Sequence, residues 1–134
     1  MRTVSIMGYE KLRVAKPLKQ LIKVLELHTR HIARENREQW REARMLLFSC
    51  LGSLIRASEE WDNEQKGVYL KRFLDDFAVF RGMMQVLTET KVVSVRKASE
   101  IASLTAQIRP QIAGWRNTIE RDSTSLRPGG ESIM

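Results

Sequence analysis

The chain has 134 residues, 43% of them hydrophobic, with 7 Gly, 3 Pro and a single cysteine. That length is enough to bury a core without disulfides or structural metal, and with no segment alternating apolar and polar residues at a period of two, an all-α fold is the economical reading. The net charge of +7 is uneven: residues 1–44 hold 11 Lys or Arg against 5 Glu, leaving only +1 for the rest, which points to a localised polyanion contact rather than a generally cationic surface.

The first predicted helix runs from about Pro17 to Ala33, with proline tolerated in its first turn. Leu18, Leu21, Ile22, Leu25, His28 and Ile32 form its apolar face. Projected at about 100° per residue, Lys16, Lys19, Lys23, Arg30 and Arg34 fall in an opposite arc of about 60°, interrupted only by Glu26 and Leu27. Such a row suits phosphate contact; a plain solvated helix face is the competing reading.

Asn36, with Gln39 three residues on, is read as an N-cap in a capping box that starts the second helix. Trp40, Ala43, Leu47, Cys50, Leu54, Ala57 and Trp61 then recur at spacings of 3 and 4, with Leu46, Leu51 and Ile55 widening the seam. Arg37, Arg41 and Arg44 lie at its edge and continue the positive charge of the first helix. Asp62 is positioned to cap the third helix.

The third helix is the organising element. Between Val68 and Leu87, the residues Leu70, Phe73, Leu74, Phe77, Phe80, Met84 and Leu87 make one broad apolar face, while Val68, Val79, Met83 and Val86 fall roughly opposite. A solitary bundle would want that second stripe polar, so it is read as an oligomer interface, broken by Arg72, Asp75 and Asp76. Ser94 caps the fourth helix, which presents Ala98, Ile101, Ala102, Thr105, Ile108, Ile112, Trp115 and Ile119 on one face. Pro110 is expected to bend it. Arg109 and Arg116 lie near the core face and are expected to pair with Asp75 or Asp76, or to snorkel. From Asp122 onward, turn-formers without periodicity predict a flexible tail. The expectation is therefore an antiparallel four-helix bundle over residues 1–121 and a tail over 122–134.

No catalytic constellation is expected. His28, His31 and Glu35 loosely imitate a metal site, but too few ligands converge, and packed or capping histidines are the simpler reading. Neither a Gly-rich phosphate loop nor a Cys-x-x-Cys pair occurs, adjacent Asp75 and Asp76 diverge on a helix, and the tryptophans are read as core. No cofactor or metal is expected. Cys50 lacks a partner and reads as a small buried hydrophobe. The opening residues lack a signal-peptide core, and the longest run of large apolar residues, Met45–Phe48, is too short to span a membrane. Both point to a soluble cytoplasmic protein.

The opening Tyr9-Glu10-Lys11-Leu12, the stretch LKRFLDDFAVFRGMMQV over Leu70–Val86, and Ile108–Asn117 ending in AGWRN resemble the small bacterial four-helix-bundle proteins. That family includes the ribosomal intervening-sequence proteins and the accessory variability determinant of diversity-generating retroelements. The resemblance covers most of residues 9–119. Leu74-Asp75 and Phe80-Arg81 match the Leu-Asp and Leu-Arg pairs of the family's third helix, and Gly114-Trp115 the end of its fourth. The first two helices are more charged here than that pattern.

What the resemblance implies is a barrel-like homopentamer with a basic surface. It also implies binding to nucleic acid and to a partner reverse transcriptase, whose mutagenic cDNA synthesis it supports. The chain is thus expected to be a non-enzymatic accessory protein binding structured RNA or an RNA–DNA hybrid through Lys16, Lys19, Lys23, Arg30, Arg34, Arg37, Arg41 and Arg44. The rival expectation is a helical scaffold for an acidic protein partner.

Overall fold

The computed structural model describes the backbone of residues 8–126 and the side chains of residues 8–122. Four helices, α1 (Ala15–His28), α2 (Arg37–Glu59), α3 (Asn63–Glu89) and α4 (Val95–Leu126), follow a short 3-10 turn at Gly8–Lys11, and no strand occurs among the described residues. Successive helices run antiparallel around one core. Arg44 of α2 reaches back to Glu26 and Thr29, Cys50 and Ser49 of α2 meet Phe73 and Asp76 of α3, and Phe80 and Met84 of α3 line a groove with Ile101 of α4. The connectors α1–α2 and α3–α4 therefore share one end of the bundle, and the α2–α3 loop lies at the other.

The core follows the 3-and-4 spacing that drives amphipathic helices together. Leu18, Leu21 and Leu25 of α1, Trp40, Leu47 and Leu54 of α2, and Ile108 and Ile112 of α4 are fully buried. Along α3, Phe73, Phe77 and Phe80 form a ladder with ring centroids 5.7 and 5.8 Å apart. Each such fully buried large side chain contributes about 1.5–3 kcal/mol from desolvation.

α1 ends at His28, five residues before the boundary expected from periodicity. The Thr29 hydroxyl and the Trp40 indole N–H both donate to the Leu25 carbonyl, at 2.9 and 3.2 Å, so side chains take over the satisfaction of the last turn. Thr29–His31 tightens to a 3-10 turn, and Ile32 and Ala33 then adopt extended backbone, with ψ of 130° and 145°. Buried Ile32 anchors that turn of chain.

The expected capping box at Asn36 is absent. A second 3-10 turn, Arg34–Asn36, runs straight into α2, Asn36 sits at φ −110°, ψ 4°, and its side chain makes no capping bond, because capping needs β-region backbone at that position. The other two caps form as expected: Asp62 accepts from the Gln65 N–H at 3.1 Å, and Ser94 Oγ from the Lys97 N–H at 3.1 Å.

Two further expectations are corrected. Trp61 is 90% exposed: Glu60 turns extended (φ −82°, ψ 131°) and ends α2 before the seam can include it. α4 continues to Leu126, five residues into the expected tail. Ser and Thr weaken a helix without breaking it, and no Gly or Pro falls between Trp115 and Leu126. The rest of that tail, residues 127–134, lies outside the described residues, as do residues 1–7.

Pro110 sits inside α4 with its ring exposed. Arg116 pairs with Glu120 at 3.1 Å, and Arg109 is exposed. Neither arginine meets Asp75 or Asp76, which are engaged by Lys71 and Ser49 respectively.

Candidate nucleic-acid interface

The eight cations singled out by sequence divide into two groups. Lys16 and Lys23 of α1, Arg30 and Arg34 of the α1–α2 connector, and Arg37 and Arg41 of α2 are exposed, and none of the six forms an ion pair with another described residue. Arg37 keeps its guanidinium at the surface while its Nε donates to the Ile32 carbonyl at 3.2 Å, bracing the connector. Because α1 stops at His28, Arg30 and Arg34 leave the helical row formed by Lys16 and Lys23. The single 60° arc expected from a longer helix is therefore broken, and the positive charge turns towards the bundle end.

Lys19 and Arg44 do other work. Lys19 Nζ lies 3.3 Å from Glu10, tying the first 3-10 turn to α1. Arg44 is half-buried: its Nη1 donates to Thr29 Oγ1 at 3.0 Å and reaches Glu26 at 3.4 Å, while its Nε is buried without a hydrogen-bond partner. Thr29 Oγ1 also accepts from the Trp40 indole at 3.1 Å. Trp40, Thr29, Arg44 and Glu26 thus form a staple between α1 and α2. The Arg44 guanidinium is thus engaged within the chain, unlike those of the six exposed cations.

His28 and His31 sit beside this corner, their rings 5.3 Å apart, with His28 also 5.7 Å from the Trp40 ring. Burial, then the Lys97 ammonium and His31, hold the His28 pKa below its ordinary value, with Glu100 opposing. No group of three His, Cys, Asp or Glu side chains converges as a metal site among the described residues. Burial, reinforced by the Asp76 carboxylate, pushes the Cys50 thiol far above the usual range, so it has no thiolate to offer as a nucleophile.

Along α3, Val68, Val79 and Val86 are 39, 54 and 55% exposed and Met83 is half-buried. The sequence reading missed the contribution of α2 to this strip. Met45, itself 52% exposed, and Leu46 line a shallow groove with Val79, Met83, Arg41 and Glu42. The signal was available, since Met45 falls opposite the Trp40–Ala57 seam at about 100° per residue. The charges that interrupt the stripe are already matched: Asp76 accepts from Ser49 at 2.6 Å, Asp75 pairs with Lys71 at 3.0 Å, and the Arg72 guanidinium lies 5.7 Å from the Tyr69 ring centroid.

Compared with known protein families, curated proteins and solved structures, the chain matches none. No helix is long and apolar enough to cross a membrane among the described residues.

Proposed function

We propose that this chain is a non-enzymatic, cytoplasmic, homo-oligomeric helical bundle that holds structured RNA or an RNA–DNA hybrid by its phosphates. In the manner of the retroelement accessory proteins it resembles, it docks a reverse transcriptase and supports mutagenic cDNA synthesis. The observation that carries the nucleic-acid reading is the set of six exposed cations, Lys16, Lys23, Arg30, Arg34, Arg37 and Arg41, none neutralised by another described residue. Cations left unpaired at a surface are free to displace counterions from a polyanion, which is where phosphate-driven affinity originates. Repetition around symmetric copies, a pentamer by the resemblance, multiplies a modest charge per chain into a continuous positive surface.

With affinity drawn from phosphate contacts, binding is expected to depend steeply on salt and weakly on sequence. The test is the affinity of the full chain for a labelled RNA hairpin across salt concentrations. A steep log–log slope, lost when Lys16, Lys23, Arg30 and Arg34 are changed to Glu, is the expected result; a flat slope overturns the reading. Capture of a partner protein that survives nuclease treatment would instead favour a scaffold for an acidic protein.

A further inference from the structure

We infer that the phosphate-gripping surface includes the α3–α4 connector, so that Lys91 and Arg96 join Arg30, Arg34 and Arg37 at one end of the bundle as a second hold on the polyanion. The inference rests on the nucleic-acid reading above and specifies where that site extends. Two independent observations lead to it.

The first is topological. Antiparallel connectivity brings both connectors to the same end, and α4 packs against α1 as well as against α3. Lys91 and Arg96 are exposed, and Lys97 is held by Glu100 at 2.7 Å. Glu26, Glu35, Glu38, Glu89 and Glu100 share this end with Arg30, Arg34, Arg37, Arg44, Lys91, Arg96 and Lys97. At the other end, the α2–α3 loop carries Glu59, Glu60, Asp62 and Glu64 against Lys66. The α2–α3 loop is thus the acidic stretch of the chain, while the other two connectors carry exposed cations.

The second observation is local strain. α3 terminates in a Schellman arrangement: the Val92 N–H bonds to the Leu87 carbonyl at 2.9 Å and the Lys91 N–H to Thr88 at 3.0 Å. This motif places Lys91 in the left-handed region, at φ 65°, the one non-glycine residue with positive φ among those described. Glycine is the usual occupant because it lacks the Cβ that makes this region costly. The lysine there is exposed and forms no ion pair with another described residue, so its ammonium is open to a phosphate at the connector end.

The strain also makes the test clean. Lys91→Gly removes the charge while relieving the backbone, so weaker binding by this variant cannot be ascribed to a weaker fold. Lys91→Gly/Arg96→Gln is compared with wild type and with Lys66→Gln/Lys71→Gln, which loses the same charge away from this end. The readout is salt-dependent affinity for the same RNA hairpin, with urea midpoints confirming stability. The expected result is a salt slope lower by about one for each lost contact, about two for the connector pair, and unchanged for the control. The inference is overturned if the connector variant binds as wild type while Lys16→Glu/Lys23→Glu does not, or if the control loses as much as the connector pair. In either case the nucleic-acid reading itself stands. Failure of the wild-type protein to bind the hairpin at any salt removes both.

Discussion

Trp40 and Trp61 stand at the two ends of α2 with opposite roles. The Trp40 indole is fully buried and donates to Leu25 and Thr29, so Trp40→Ala opens a cavity and removes a hydrogen-bonded bridge between helices. The expected cost is about 3–5 kcal/mol, read as a lower urea midpoint, whereas Trp61→Ala should stay within about 0.5 kcal/mol because nothing packs on the exposed ring. His28 supplies a pH dependence of known sign. The folded protein disfavours its imidazolium, so between the depressed folded-state pKa and the ordinary 6.5 the unfolded chain binds the proton better. This residue's contribution to stability is complete above that ordinary value and is lost as pH falls through the folded-state pKa. Urea midpoints measured between about pH 7.5 and 5.5 should accordingly fall more steeply for wild type than for His28→Gln. Matching slopes would assign the acid sensitivity to other groups.

Among the elements, helix ends decide more than helix middles. Asp62 and Asn36 occupy equivalent places at the starts of α3 and α2, yet only Asp62 accepts a backbone N–H. Asp62→Ala is expected to cost about 0.5–2 kcal/mol and Asn36→Ala far less, a difference that chemical denaturation of the two variants measures directly. The same contrast explains what could be read in advance. The seams of α2 and α3 were legible because five or more turns of 3-and-4 spacing fix one broad apolar face, and Asp62 and Ser94 were legible because a cap needs only its own helix. The end of α1 was not, since it is set by the Trp40 indole arriving from another helix at the Leu25 carbonyl. The error at Trp61 had a local remedy: a cap at Asp62 requires extended chain just before it, so the seam could not reach Trp61. For the candidate interface, the exposure of Lys16 and Lys23 followed from periodicity. The diversion of Arg30 and Arg34, the structural use of Arg44 and the approach of Lys97 to His28 all depend on tertiary contacts.

At the level of the whole molecule, two surfaces on different flanks have to be reconciled, a cationic one and an apolar one. Met45, Val79 and Val86 are each more than half exposed, on neighbouring helices, and the carboxylates and guanidinium among them are already matched within the chain. Within this strip Asp75 and Asp76 already have partners in the chain, Lys71 and Ser49, which they keep if the strip is covered. A stable interface needs about 800 Å² per partner, more than one strip of three or four side chains supplies, so Val68 and Leu46 are expected to be covered as well. If copies of the chain meet here, wild type at micromolar concentration scatters light as a multiple of the chain mass. Val79→Asp/Met83→Asp should then scatter as a monomer of unchanged helicity, since Val79 is exposed and Met83 only half-buried. Breaking the assembly should also weaken hairpin binding without touching a cation, because linked copies bind with an effective concentration that separate ones lack. A monomeric wild type would sever the two surfaces and leave each chain to bind with its own six cations alone.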